Sequence, residues 1–383
     1  MRWIATAAFA LEGIVARELR ALGMNDVQAS NGGARFEGSL EDGLRANMWL
    51  RCSDRVMLEM GRFEACTFEE LFEATRAIEW EALLPADAAF PVRAHCARSQ
   101  LMSPSDCQKI VKKAVAERLK SRYGGDWLSE TGAVFQIDCA IHSDCVVLSL
   151  DSSGEALNRR GYRTWNGEAP LRETLAAALV SLMPWQPGQA FVDPCCGTGT
   201  ILCEAAMIAC ERAPGLERRF AMEQWPCCEA SWVAAVRAEA AERFHAHDGD
   251  ELRITGVDID PQALDLARRH VRQCGFERRI ELINADMRDY HSPYELGALL
   301  ANPPYGERLG DRRAADAVAR ALRMVSDAHP EFALGVITPN PAFERVFGRR
   351  ADRRRRLYNG RIECEFMTFD RASYRARRAG RGR

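Results

Sequence analysis

From Leu171 onward the apolar residues switch repeatedly between helical and strand spacing, and this alternation restricts the possible fold more than any other feature. "LRETLAAALVSLM" has helical spacing, "QAFVDP" is a short buried run closed by proline, and "TILCEAAMIAC" is helical again. After a Pro/Gly-bearing insertion the pattern resumes in "SWVAAVRAEAAERFHAH", "ELRITGVDI", "PQALDLARRHVRQCG", "RIELINAD", "LGALLANPP", "DAVARALRMVSDA" and "FALGVITP". Strands separated by helices pair in parallel through crossovers, not as hairpins. The last segment departs from this: "ADRRRRLYNGRIECEFMTFD" is two strands around Asn359-Gly360, a hairpin signal. The sequence therefore predicts an α/β domain over residues 171–383, a Rossmann-like parallel sheet with an antiparallel last strand.

The N-terminal half carries a different order. "RWIATAA" is a strand and "ALEGIVARELRALG" a helix ending in Gly23. "DVQAS" and "GARFEG" are strands around Asn31-Gly32, "LEDGLRANMWL" is a helix and "RVMLEMGRF" a strand. This is a βαββαβ, ferredoxin-like α+β module over residues 1–66. A second α+β unit, residues 67–154, opens with a threonine-capped helix in "TFEELFEATRAI". It continues through the strand "AFPVRAHCA", the long helix "SPSDCQKIVKKAVAERLKSRYG", and two strands meeting at Ser143-Asp144. Residues 155–170, "EALNRRGYRTWNGEAP", form the linker.

The formal net charge is -2, so the chain as a whole is no polycation and any contact with a polyanion rests on local patches. The long helix holds all four lysines of the chain, Lys109, Lys112, Lys113 and Lys120. At about 100° per residue they share one arc of roughly 100°, which suits either a solvated helix face or a phosphate-contacting stripe. Further basic clusters are Arg159, Arg160 and Arg163, then 349–356, then "RASYRARRAGRGR". No apolar run approaches the roughly 18 residues of a membrane span, and "MRWIATAAFALEG" has too short an apolar stretch for a signal peptide. The fourteen cysteines include no CxxC pair, and Cys196, Cys203 and Cys210 recur every seven residues. They read as small buried hydrophobes in a reducing cytoplasm. Cys227, Cys228, His245 and His247 match no zinc spacing, so no metal is expected.

Four motifs fall at predicted strand ends. "FVDPCCGTGT" joins the first sheet strand to its helix, where glycines admit a ligand to free helix N–H groups. No lysine follows, so it is not a phosphate-binding P-loop, and Leu202 occupies the third glycine position of a dinucleotide fingerprint. Asp193 just ahead of the glycines would repel a pyrophosphate and suits a cation with an amino-acid end, such as a sulfonium. Asp258 ends "ITGVD", where a carboxylate can accept ribose hydroxyls. Asp286 ends "NAD", and "NPPY" ends the fourth strand. Open α/β sheets bind ligands at these carboxyl ends.

This combination resembles the class I S-adenosylmethionine-dependent methyltransferases. "NRRGYR" through "APLRETLAAAL", then "DPCCGTGT" and "NPPYGERLG", is similar to the bacterial 23S ribosomal RNA guanine-N2 methyltransferases that carry a THUMP domain. On that resemblance residues 67–154 are the THUMP RNA-binding domain. S-adenosylmethionine, leaving as S-adenosylhomocysteine, would be held by Thr174, Asp193, Pro194, Cys196, Gly197, Thr198, Gly199, Thr200, Asp258, Ile259, Asp286, Met287 and Asn302. Catalysis would fall to Asn302, Pro303, Pro304 and Tyr305. Two acceptors, the Asn302 side chain and the Pro303 carbonyl, would take the N–H groups of an exocyclic amine and free its lone pair, while Tyr305 stacks on the base. RNA would meet Lys109, Lys112, Lys113, Lys120, Arg159, Arg160 and Arg163. The implied partner is 23S ribosomal RNA or a ribosome assembly intermediate. The Cys195-Cys196 pair departs from relatives that carry a different first residue, and the second methyltransferase half of some relatives is lacking. The same box also serves N6-adenine methyltransferases of DNA or RNA and guanine-N2 methyltransferases of transfer RNA. A non-enzymatic ribosome assembly factor is disfavoured by intact Asp193, Asp258, Asp286 and Asn302.

Overall fold

The computed structural model describes residues 1–163, 171–304 and 312–373. Tyr305 and the rest of "YGERLG" lie outside the described residues, as does the arginine-rich tail beyond Ser373. The chain divides into two compact units. One comprises Met1–Ala8, Glu12–Leu157 and Gly215–Ala240, and the other Phe9–Leu11, Asn158–Pro214 and Ala241–Arg383. The sequence pattern places 215–240 within the catalytic half, but this stretch packs with the first unit. Gly215 fits closely enough there that a Cβ would meet the Met48 backbone at 2.9 Å.

The first unit contains β1 (Arg2–Thr6), β2 (Asn25–Ser30), β3 (Gly33–Glu37), β4 (Arg55–Glu64), β5 (Val92–Ala97), β6 (Ile137–His142) and β7 (Cys145–Asp151). The βαββαβ order holds for the first four strands. The two modules, however, share one seven-stranded sheet of order β2-β3-β1-β4-β7-β6-β5. The ten-residue β4 pairs with β1 on one side and antiparallel with β7 on the other, from Met57↔Asp151 to Glu64↔Cys145. The helix after β4, Phe68–Ala77, is capped by Thr67, whose side chain accepts the Glu70 N–H while Glu70 Oε2 accepts the Thr67 N–H at 3.1 Å. The lysine helix, Pro104–Tyr123, is capped by Ser103 and stopped by Gly124 at φ 77°. It buries Cys107, Val111, Ala114, Val115 and Leu119.

The second unit contains β8 (Ala190–Asp193), β9 (Ile254–Asp258), β10 (Ile280–Asn284), β11 (Gly297–Ala301), β12 (Phe332–Thr338), β13 (Arg353–Asn359) and β14 (Ile362–Phe369). Their order is β10-β9-β8-β11-β12-β14-β13. β8 to β12 run parallel, and β14 is antiparallel to β12. Every residue of β8, β11 and β12 is buried, as a parallel sheet covered on both faces requires. The chain winds outward from β8 to β10, then returns to β11 on the other side of β8. The switch point between β8 and β11 is where such a sheet opens a crevice for ligands. Among the described residues no helix is long and apolar enough to cross a membrane.

Candidate active site

The loop after β8 is shaped by two left-handed glycines, Gly197 at φ 50° and Gly199 at φ 79°. A Cβ at Gly199 would approach the Ala267 Cβ to 3.2 Å, so this turn admits no larger residue without movement. Gly199 is the N-cap of the helix Thr200–Ala209, whose first N–H groups face the crevice end of the sheet. Asp258, at the tip of β9, fastens the loop: Oδ2 accepts the Gly197 N–H at 2.7 Å and Oδ1 the Asp260 N–H at 2.9 Å. Each oxygen retains a lone pair for a hydroxyl. The fully buried His270 ring holds the Thr198 carbonyl at 2.9 Å from Nδ1.

Asp193 ends β8 at 1% exposure, with Oδ1 accepting the Cys195 N–H at 3.2 Å. Burial pushes its carboxyl up to about 8, and the nearby Asp258 charge pushes the same way. A cation brought to this point would favour the ionised form. Pro194, Cys196, Thr174 and Thr200 are buried, and Thr198 is half-buried. Ile259, next to Asp258, is 70% exposed, an apolar side chain left open at the strand tip. Asn284 steadies that tip by donating to the carbonyls of Asp258 (2.9 Å) and Ile259 (3.1 Å). Sequence reading missed Asn284, although its place at the end of β10 was a usable signal.

Asp286 is half-buried beside Met287 and accepts from Arg288 N, Nε and Nη2 at 2.9, 3.0 and 2.6 Å. The Arg288 guanidinium holds its carboxyl down at about 2. Past β11, Asn302 is half-buried, Pro303 buried and Pro304 exposed. The Cys195 thiol lies at the Asn302 backbone N–H, and burial pushes that thiol well above its usual range. The structure thus brings the β8 loop to the asparagine box across the switch point, with Cys195 among the residues that meet it. Sequence reading saw no role for Cys195.

These residues fit S-adenosylmethionine. The buried Asp193 offers latent charge to a cation, the glycine turn and helix N-terminus offer N–H donors to a carboxylate, and Asp258 with Ile259 offers an acceptor and an apolar face to a nucleoside.

The basic clusters divide. Arg159 is exposed, but Arg160 is 4% exposed and its Nε meets Glu204 Oε1 at 3.4 Å. Arg163 donates to the Leu171 carbonyl and to Glu173 Oε1, both at 3.1 Å. Arg160 and Arg163, expected to meet RNA, thus have their guanidiniums buried against carboxylates. In the first unit, Lys112 is also committed internally. It pairs with Glu130, donates to the Phe90 carbonyl at 3.2 Å and sits 3.7 Å over the Phe90 ring. Lys109 and Lys113 make exposed same-helix pairs, with Asp106 (3.3 Å) and Glu117 (3.8 Å), and Lys113 also sits 5.5 Å from the centre of the Phe72 ring.

A model of the RMKL-like methyltransferase domain matches residues 160–368, an RlmL ferredoxin-like domain residues 2–57, and a THUMP domain residues 65–151. YpsC of Bacillus subtilis (strain 168), named provisionally as an RNA methyltransferase, is 39% identical over 96% of this chain and 95% of its own. Ribosomal RNA large subunit methyltransferase K/L of Syntrophotalea carbinolica is 33% identical over 98% of this chain. The chain spans 54% of that relative's length. Among solved structures, SMU.472, assigned provisionally to methyltransferases and crystallised with SAH, aligns with a TM-score of 0.91 at 38% identity, covering 97% of this chain and 98% of its own. A Listeria monocytogenes (str. 4b F2365) protein described as a predicted N6-adenine-specific DNA methylase aligns with a TM-score of 0.92 at 40% identity, covering 97% and 96%.

Proposed function

The chain belongs to the RMKL-like methyltransferases that carry an RlmL ferredoxin-like and a THUMP domain, S-adenosylmethionine-dependent methyltransferases of RNA, and from that premise we propose that it methylates the exocyclic N2 amine of a guanine in 23S ribosomal RNA. The observation that carries this reading is the Asn302-Pro303-Pro304 box at the carboxyl end of β11, at the switch point and against the Cys195 loop. The name of the K/L relatives supports the choice of ribosomal RNA.

An exocyclic amine conjugated to a purine is a weak nucleophile because its lone pair is delocalised into the ring. The Asn302 side-chain oxygen and the Pro303 carbonyl each accept one of its N–H groups, and the two prolines fix both acceptors in place. That pulls the nitrogen towards tetrahedral geometry and localises the lone pair. Asp193 takes on charge as it meets a cation, and Asp258 keeps the glycine turn closed. The cofactor supplies an electrophilic methyl group on sulfur. Positioning of this kind is worth roughly 7–11 kcal/mol in favourable cases.

Mass spectrometry of nucleosides from RNA treated with the protein tests the proposal, with N2-methylguanosine expected. N6-methyladenosine instead would favour the second reading, suggested by the description of the Listeria relative. Asn302→Ala should leave cofactor affinity nearly intact and abolish transfer, because its acceptor acts chiefly in the transition state. A variant keeping more than about a tenth of kcat would put less than about 1.4 kcal/mol at stake and refute the amine clamp.

A further inference from the structure

The edge of the catalytic sheet carries a feature that the site does not use. β13 is the outermost strand and reads Arg353, Arg354, Arg355, Arg356, all exposed. Strand register sets their height. Ala301 of β11 lies beside Val336 of β12, Val336 beside Met367 of β14, and Met367 beside Arg354. One residue further along, the same rows place Arg355 level with Asn302. Three strand spacings separate β11 from β13, ~14 Å across the sheet. Tyr358 stands two residues further towards the crevice end, beyond Arg356, which is level with the last residue of β12 through Glu365↔Thr338.

An aromatic surface accompanies these charges. Phe9 is 62% exposed and packs edge-on against Tyr358, ring centroids 5.7 Å apart at 79°. The next residue, Ala10, is held at φ 68°, a conformation that alanine seldom adopts. Its carbonyl accepts Arg355 Nη1 at 3.2 Å. The Tyr358 hydroxyl donates to Glu363 at 2.9 Å, which fixes its ring under Phe9. A strained turn therefore presents an uncovered aromatic face beside arginines, at the level of the catalytic box.

We propose that this edge, Phe9 and Tyr358 with Arg355 and Arg356, is a second RNA-binding surface that holds the single-stranded segment flanking the target base. The inference rests on the reading of the chain as an RNA methyltransferase. Charge complementarity selects the occupant. Arg355 meets a neutral carbonyl and no carboxylate among the described residues, while Arg356 meets Glu363 at 3.4 Å with both side chains more than half exposed. Such exposed pairs are weak and exchange readily for phosphate. An uncovered aromatic ring takes an unpaired base by stacking, and a duplex offers none. Placement ~14 Å from Asn302 lets a few nucleotides of extended strand run from this edge to the box. The competing explanation is that arginines on an edge strand only block pairing between molecules.

The test uses the full chain and a fluorescein-labelled, mixed-sequence single-stranded RNA oligonucleotide, alone and annealed to its complement. In the Arg355→Gln, Arg356→Gln double variant, the log–log salt slope of binding should flatten by about 0.7 for each phosphate that the arginines no longer neutralise. Phe9→Leu should weaken the single strand roughly tenfold and leave the slope unchanged, while Phe9→Trp restores affinity. Calorimetric affinity for S-adenosylmethionine should not move in any of the three. Unchanged RNA affinity and slope in the double variant, or self-association of that variant on gel filtration with RNA binding intact, would overturn the surface. So would binding of the duplex as tightly as the single strand. A wild-type protein that binds the strand but transfers no methyl group to RNA refutes the proposed activity instead, and the binding assay still decides the surface.

Discussion

Replacing Asp193 with asparagine should make the free enzyme more stable and worse at binding its cofactor. The side chain is 1% exposed and its pKa is raised from 3.8 to about 8, with burial the main cause. A carboxyl whose folded pKa exceeds its unfolded one favours the fold while protonated. That contribution is fully present below about pH 4, is lost progressively as the pH rises, and is gone by about pH 8. At about 1.36 kcal/mol per unit, the loss by pH 7 is at most about 4 kcal/mol. Asparagine keeps the shape and the acceptor for the Cys195 N–H without the ionisation. Asp193→Asn should therefore melt near wild type at pH 4 and roughly 5–15 °C above it at pH 7, since 1 kcal/mol is about 2–4 °C in a unit of this size. The cation of S-adenosylmethionine should ionise Asp193 on binding. Its Kd for wild type should fall about tenfold from pH 6 to pH 7, with close to one proton released, while the asparagine variant binds weakly and evenly across that range. Differential scanning calorimetry gives the first result, and titration calorimetry in two buffers of different ionisation heat gives the second. A variant no more stable than wild type at pH 7, or a stability gap that does not widen from pH 4 to pH 8, would refute the burial argument. A pH-independent wild-type Kd would refute the pairing with a cation.

Three further outcomes are expected. Asp258→Ala should weaken S-adenosylmethionine by about 1–3 kcal/mol in calorimetry, because it removes a hydroxyl acceptor and releases the Gly197 N–H; an unchanged Kd would sink that assignment. Glu204→Ala should destabilise the fold by about 3–5 kcal/mol in denaturant titration by removing the buried carboxylate that Arg160 and the Tyr162 hydroxyl meet, and a loss under about 1 kcal/mol would mean that water reaches the site. Lys109→Gln, Lys113→Gln and Lys120→Gln together should flatten the salt slope of RNA binding by about 0.7–0.9 for each phosphate released, whereas Lys112→Gln should act on melting temperature instead; the reverse pattern would mean that the Glu130 and Phe90 contacts of Lys112 give way to RNA.

Whatever depends on neighbours along the chain is legible in the amino-acid order. Helical and strand spacing gave the order of elements, the Asn359-Gly360 hairpin marked the reversed edge, and motifs directly after apolar runs put Asp193, Asp258, Asp286 and Asn302 at strand ends. Each of these is written within a few residues, because side-chain period and turn chemistry are local properties. Which groups meet across long separations follows from the packing of the folded chain. It joined β4 to β7, making one sheet of two modules, and drew 215–240 into the first unit. It separated two adjacent arginines, leaving Arg159 exposed and burying Arg160 on Glu204, 44 residues away. It set Cys195 against Asn302 and raised the pKa of Asp193. Burial and partner choice arise from packing between distant segments, and a residue's identity carries its charge but not the dielectric it will occupy.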